Sequence, residues 1–250
     1  MLTPERQQFI LDALKHDGFV KISQLVKDLN TSESTIRRDL SQLEDLHLLK
    51  RVHGGAELVK GRGNEPTIHE KSTAHLEDKK TIAQYAASLV EDGDCIYLDA
   101  GTTTKAMIPY LLNKPITIVT NGLMQAASLQ DSDIVTYLIG GRIKKSTNAL
   151  IGSIAVNHLS GYRFDKCFLG INGIHPDWGY STPDPEEAIL KRKAMELSKE
   201  AYVLADESKF GETSFAKVAE LYKGKIITTG IDSAKLAKYK TNTTIKVVTV

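Results

Sequence analysis

Ser32 to Ala56 reads S-E-S-T-I-R-R-D-L-S-Q-L-E-D-L-H-L-L-K-R-V-H-G-G-A. Ser32 suits the N-cap of a helix, and Ile36, Leu40 and Leu43 recur at i, i+4 and i+7 as one apolar stripe. Ser34, Arg37, Arg38 and Ser41 share another face at helical spacing. That face fits the major groove of a duplex, because an arginine forks onto a guanine edge or clamps a phosphate while short hydroxyls allow close approach. A polar stripe alone is more often the solvated face of a surface helix.

The flanking residues decide between these readings. Upstream, Ile22 to Leu29 reads as a short helix, and Asn30-Thr31-Ser32 is a turn of the length a helix-turn-helix uses. Downstream, Leu48 to Val52 reads as a strand running into His53-Gly54-Gly55-Ala56, whose glycines suit a hairpin tip beside a DNA backbone. The segment is therefore expected to be a winged helix-turn-helix that binds double-stranded DNA through Ser32, Ser34, Thr35, Arg37, Arg38, Ser41, Arg51, His53 and Gly54. T-I-R-R-D-L at Thr35 to Leu40, Leu43-Glu44, and R-V-H-G-G-A at Arg51 to Ala56 together resemble the DeoR family of bacterial transcriptional regulators.

Composition sets outer limits. With 250 residues, 41% hydrophobic and 25% charged, the chain has room for a domain of about 150 to 200 residues and a smaller companion. A net charge of +1 names no partner, and residues 1–57 hold eight Lys and Arg against nine Asp and Glu. DNA binding thus rests on where Arg37, Arg38, Lys50 and Arg51 stand, not on bulk charge. No apolar run reaches the length of a membrane span and Met1 to Glu5 has no signal-peptide pattern, so a cytoplasmic location without membrane contact is expected. Cys95 and Cys167 sit singly in strand-like runs, which favours packing over redox or metal roles, and the seven histidines form no metal-binding spacing. No metal or cofactor is implied.

In chain order, a first helix runs from Pro4 to about Lys15, and the winged unit closes near residue 57. Lys60 to Pro66 breaks all periodicity, which marks residues 58–72 as a linker before a domain spanning 73–250. Beyond a helix at about His75 to Val90, strands at Cys95 to Asp99, Ile116 to Thr120, Ile134 to Ile139, Lys166 to Leu169, Tyr202 to Ala205, Lys225 to Thr229 and Thr244 to Thr249 alternate with helices at Lys105 to Leu112, Leu123 to Leu129 and Pro185 to Ala201. Such alternation predicts a largely parallel sheet covered on both faces, an α/β class. Gly141 to Asn148 fits either a strand or a basic loop.

Asp99-Ala100-Gly101-Thr102-Thr103-Thr104 falls between a strand and a helix, where ligands of open parallel sheets bind and where free N–H groups meet anions. It reads as a phosphate cradle or as a plain helix cap. It is not a nucleotide motif, since neither G-x-x-x-x-G-K-[ST] nor a strand-borne G-x-G-x-x-G is present. Thr120-Asn121-Gly122, Gly140-Gly141, Gly170 to Gly173 and Ala205 to Gly211 recur at other strand ends, and clustered strand ends make a pocket.

D-x-G-T-T-T, V-T-N-G, F-L-G-x-N-G and A-D-x-S-K-F-G also resemble the DeoR family, whose effector domain has a Rossmann-like fold similar to ribose-5-phosphate isomerase. The resemblance implies a phosphate-loop role for Asp99, Gly101, Thr102, Thr103 and Thr104, and pocket roles for Asn121, Gly122, Glu187 and Lys209. A lysine such as Lys209 is otherwise an ordinary surface group. Within the family, Leu2 to Arg6, Ser32 to Ser41, Asp94 to Thr104, Tyr162 to Lys166 and Thr182 to Ala188 are most similar to fructose-operon repressors. This implies a repressor of a sugar-utilisation operon, a homo-oligomer released by a sugar phosphate, with fructose 1-phosphate first and other ketohexose phosphates open. An isomerase and a ligand-dependent activator are the alternatives. Against catalysis, the isomerase's acidic motif falls on Gly170 to Ile174, where no acid stands, and its second glutamate falls on Arg192.

Overall fold

Residues 3–46, 48–58 and 67–249 are described by a computed structural model. The chain divides into two units, Met1–Gly61 and Arg62–Val250.

The first unit runs α1 (Thr3–Asp17), β1 (Phe19–Lys21), α2 (Ile22–Asp28), α3 (Glu33–Asp45), β2 (Leu49–Val52) and β3 (Gly55–Leu58). The strands form an antiparallel sheet in the order β1-β3-β2. Between α2 and α3 the chain turns at Asn30, which adopts a left-handed conformation at φ 44°. Ile10, Leu14, Leu25, Ile36, Leu40, Leu43 and Leu49 are buried together. At roughly 1.5–3 kcal/mol for each such side chain removed from water, this cluster supplies the unit's main cohesion. The first helix extends slightly beyond its expected bounds, and β1 is an element that sequence periodicity misses because three residues show no period.

The second unit begins with α4 (Ile68–Thr73) and α5 (Leu76–Ser88), followed by β4 (Cys95–Leu98), α6 (Thr102–Lys105), β5 (Thr117–Thr120), α7 (Leu123–Leu129) and β6 (Val135–Leu138). Next come β7 (Arg142–Lys144), β8 (Ala149–Ile151), α8 (Ser153–Leu159), β9 (Phe164–Gly170), β10 (Gly173–His175), β11 (Gly179–Thr182) and α9 (Pro185–Glu196). β12 (Ser198–Leu204), β13 (Ala216–Ala219), β14 (Lys225–Thr229), α10 (Ser233–Lys240) and β15 (Ile245–Val248) complete it.

Seven strands form a parallel sheet in the order β15-β14-β12-β9-β4-β5-β6. Strand alternation splits its side chains between two buried clusters. Tyr97, Val119, Cys167, Val203 and Ile226 pack with α8, α9 and α10, while Ile96, Leu98, Ile118, Phe168 and Ile227 pack with α5 and α7.

Several expectations change. The helix expected at Pro185 to Ala201 stops at Glu196, because Ser198 to Ala201 pair with β9 from Phe164 onward and sheet pairing overrides the helical preference of Lys199-Glu200-Ala201. Instead of one helix at Lys105 to Leu112 there is α6 and a separate 3₁₀ turn at Ile108–Tyr110, since Pro109 has no N–H to continue the ladder. The ambiguous Gly141 to Asn148 segment is mostly a hairpin of β7 and β8. The small sheet β10-β11-β13 has no counterpart in the expected elements. Of the expected linker at 58–72, residues 59–66 lie outside the described residues, and Ile68–Thr73 is helical rather than open chain.

Candidate functional site

In the first unit, the Ser32 Oγ caps α3 by accepting the Thr35 N–H at 3.2 Å and lies 2.9 and 2.8 Å from the Ser34 and Thr35 hydroxyls. The buried stripe of Ile36, Leu40 and Leu43 fixes the rotation of the helix. Ser34, Arg37 and Arg38 are thereby exposed and Ser41 is half-buried. Asp39, on the inner side, is 1% exposed and is held by the Arg6 guanidinium of α1, with one contact at 2.9 Å. That ion pair ties the first helix to the third.

The wing is bonded to the same face. Arg51 of β2 donates from Nη1 to the Ser41 Oγ at 2.6 Å and from its backbone N–H to Glu44 Oε1 at 2.8 Å, while Ser41 donates to the Arg37 carbonyl at 2.9 Å. Arg37 pairs with Glu33 at 2.6 Å, an exposed contact of small energetic weight. His53 and Gly54 form the two-residue hairpin between Val52 and Gly55, with Gly54 at φ +81°. The nine residues expected to face DNA thus lie on α3, its cap and the adjoining hairpin. Arg6 and Glu44 hold the assembly; both fall in stretches that carry the family resemblance, but only the structure shows what they hold.

In the second unit, the recurring strand-end motifs follow β12, β9, β4, β5 and β6, which are consecutive in the sheet. Chain order reverses between β4 and β9: β5 and β6 lie to one side of β4, and β9, β12, β14 and β15 to the other. Beyond the carboxyl ends of strands at such a switch point, the two outgoing loops diverge and leave a crevice. Gly101 and Gly170 face each other there, so that a Cβ on Gly101 would lie 3.7 Å from the Gly170 Cα.

The side chains of the Asp99 to Thr104 loop divide by direction. Asp99, 2% exposed, accepts at Oδ2 from the Gly170 N–H at 3.0 Å and from Lys191 Nζ of α9 at 2.5 Å. The Thr104 hydroxyl lies 2.6 Å from the Asp99 carbonyl oxygen and accepts the Gly101 N–H at 3.0 Å. Gln125 Nε2 of α7 reaches the Asp99 and Gly101 carbonyls, each at 2.9 Å. Asn121 Oδ1 accepts the Ala100 N–H at 2.9 Å, and Gly122 follows where a Cβ would meet Gln125 Oε1 at 2.0 Å. These groups fix the loop. They leave the N–H groups of Thr102, Thr103 and Thr104 in the first turn of α6, where no intrahelical carbonyl precedes them.

Glu187 sits one turn before Lys191 on the buried face of α9. It accepts from the Thr147 hydroxyl at 2.9 Å and from Lys144 Nζ at 3.2 Å, and the Thr182 hydroxyl lies 3.3 Å away. Lys144 also pairs with Asp184 at 3.1 Å. Burial alone would raise the Asp184 pKa, but the Lys144 ammonium and the Glu186 and Glu187 N–H groups hold it below the usual carboxylate range. Lys209 closes a 3₁₀ turn after β12 capped by Asp206. Burial works to raise the Asp206 carboxyl, and Lys209 with the Ser208 hydrogen bonds outweighs it, so that pKa is also lowered. Lys79, missed by sequence reading, is buried nearby and donates to the carbonyls of Lys71 and Ala74. Desolvation lowers its pKa, with Asp206 opposing and Lys209 adding to the effect.

Cys167 is buried, which pushes its thiol pKa up to about 12, and Cys95 is partly exposed. Among the described residues, no His, Cys, Asp and Glu cluster could hold a metal, and no helix is long and apolar enough to cross a membrane.

A winged helix-turn-helix on the same chain as a doubly wound α/β unit with a switch-point crevice defines a ligand-responsive transcriptional regulator. Residues 6–62 match the DeoR-like helix-turn-helix domain and residues 74–231 the DeoR C terminal sensor domain. The chain belongs to the DeoR family. It is 51% identical over 249 residues to the uncharacterized HTH-type transcriptional regulator FruR of Bacillus subtilis, covering 99% of each chain. It is 36% identical to the lactose phosphotransferase system repressor of Staphylococcus epidermidis, covering 87% of this chain and 88% of that one. Among solved structures, ribose 5 phosphate isomerase A from Neisseria gonorrhoeae covers 53% of this chain and 52% of that chain at 18% identity and a TM-score of 0.39.

Proposed function

We propose that this protein is a cytoplasmic, homo-oligomeric repressor of a sugar-utilisation operon, and that a phosphorylated ketohexose, fructose 1-phosphate first, releases it from operator DNA. The observation that carries the proposal is the contiguity of the motif-bearing strand ends, with three N–H groups of one loop left for an anion. In this reading Thr102, Thr103 and Gly101 meet the phosphate, Asp99, Thr104 and Asn121 hold the loop in shape, and Lys209 adds positive charge. Glu187 with its threonines is the polar wall for sugar hydroxyls. The repressor sign draws on the name of the Staphylococcus relative.

A binding role is favoured over isomerisation by the pairing of the acids. Asp184 and Glu187 are tied to Lys144 and Glu186 to Arg142, while the Gly170 to Ile174 loop holds no carboxylate to act as base. Arg192 donates to the Val218 and Lys217 carbonyls, each at 2.8 Å, and so braces β13.

A thermal-shift screen of sugar phosphates tests the effector. A ligand at a hundred times its Kd adds about 2.7 kcal/mol to stability, and fructose 1-phosphate is expected to lead the series. In parallel, Arg38→Ala is expected to weaken operator binding by about 1 to 3 kcal/mol without changing the ligand response. No response to any sugar phosphate would end the sensor reading. Unchanged operator affinity at matched salt would remove Arg38 from the DNA-reading face.

A further inference from the structure

β6 ends the seven-stranded sheet, and among the described residues no strand lies on its outer side. The Ile139 N–H donates to the Thr120 carbonyl at 3.0 Å, so Val135, Tyr137 and Ile139 turn their backbone groups toward β5 while Thr136 and Leu138 turn theirs outward. Exposed edges are ordinarily blunted by a lysine, a proline or a bulge. β15, at the other edge, carries the exposed Lys246. β6 reads Val-Thr-Tyr-Leu without charge or proline, and Val135, Tyr137 and Leu138 are 54%, 48% and 43% exposed.

Two features make this edge complementary to itself. The Tyr137 ring is the outer end of an aromatic row running through Tyr162 and Phe164 to Tyr97, with successive centroids 5.9, 6.2 and 5.7 Å apart. A ring already held by its neighbours loses little freedom when covered. In addition, the chain approaches β6 from the exposed Asp131 and Asp133 and leaves it toward the exposed Arg142, which also holds Glu186, and Lys145. An antiparallel mate sets the acidic end of one strand beside the basic end of the other, at both ends of the pair.

We infer that β6 is the subunit interface: a second copy of this chain adds its own β6 antiparallel about a two-fold axis through Tyr137, joining two seven-stranded sheets into one. Thr136 of each copy then faces Leu138 of the other and exchanges both N–H to carbonyl bonds. Tyr137 meets its mate at a non-hydrogen-bonded position, where Cα atoms stand about 4.5 Å apart. The inference rests on the homo-oligomer proposed above and names its surface.

The test uses the full-length protein. Cα atoms at that spacing fall within the roughly 4.4–6.8 Å of disulfides, so Tyr137→Cys is expected to give a covalent dimer under mild oxidation on a non-reducing gel. Wild type, with its own Cys95 and Cys167, and Tyr222→Cys, at a 69% exposed position elsewhere, are the controls and should give none. Tyr137→Lys places like charges on the axis and is expected to halve the mass measured by light scattering, with Leu138→Lys as a second variant should the first fail to fold. If wild type is oligomeric, and Tyr137→Cys does not cross-link while the folded lysine variants keep the full mass, the interface lies elsewhere and the oligomer reading survives. A wild type of 27.5 kDa in solution overturns both.

Discussion

The Asp99 carboxylate lies against the Lys191 ammonium and the Gly170 N–H, and both charges are almost wholly buried. Removing the carboxylate takes the counter-charge of this pair from the ammonium in a medium that solvates a charge poorly. Asp99→Asn is therefore expected to destabilise the second unit by about 3–5 kcal/mol, read by urea unfolding of the full chain. Asp99→Asn with Lys191→Met should recover much of the loss, because the double variant buries neither charge of the pair. An Asp99→Asn protein as stable as wild type would show that the pair does not hold the loop. The D-x-G-T-T-T motif is legible as a cradle, yet its letters do not say which side chains point back at the loop; that depends on α7 and α9 arriving from elsewhere in the chain. Lys191 hides inside Lys191-Arg192-Lys193, which looks like a solvated charge run. Its only sequence signal is spacing: it shares a helical face with Glu187, Ala188, Ala194 and Met195.

Among the elements, the wing hairpin is tightly specified. A Cβ on Gly55 would stand 2.1 Å from the Val20 carbonyl oxygen, a backbone atom of the neighbouring strand, so β1 and β3 pair only if this residue lacks a side chain. Gly55→Ala is expected to open the β1-β3-β2 sheet, lower the melting temperature of the first unit and abolish operator binding, while the second unit keeps its ligand-induced thermal shift. A Gly55→Ala protein that binds operator normally would mean that the wing tolerates a displaced β1. The same hairpin shows why elements are unequally legible. Gly54 and Gly55 announce a turn, but nothing local says that β1, at Phe19–Lys21, forms the other side of the clash. The buried strands β4, β5, β9, β12 and β14 stand out as apolar runs because both faces are covered, whereas the short β10, β11 and β13 owe their existence to pairing partners far along the chain. The α9 to β12 junction has neither glycine nor proline to mark it, and only the β9 partner reveals where the helix must stop.

For the whole molecule, the question is how occupancy of the second unit alters what the first unit binds. A ligand shifts an equilibrium only by its differential affinity for the states involved, so a releasing sugar phosphate must bind the operator-free protein more tightly than the operator-bound one. Linkage makes this reciprocal. A coupling of about 1 to 3 kcal/mol should loosen operator binding by roughly 5- to 150-fold at saturating ligand, and saturating operator should weaken the ligand by the same factor. Thr103, 8% exposed in the first turn of α6, is the position from which to break the link. Glutamate there adds a negative charge and extra volume where the phosphate is proposed to sit, leaving α3 and the wing untouched. Thr103→Glu is expected to bind operator as wild type does, to show no thermal shift with fructose 1-phosphate, and to repress constitutively in cells. Lys209→Ala should weaken the response without abolishing it, because the loss of one point charge leaves the Thr102 to Thr104 N–H groups in place. Operator affinity measured with and without ligand for the three proteins separates the possibilities. A wild type indifferent to ligand would sever the two units functionally, a Thr103→Glu protein that responds normally would move the phosphate away from this loop, and tighter operator binding with ligand would reverse the sign and make the protein an activator of the same architecture.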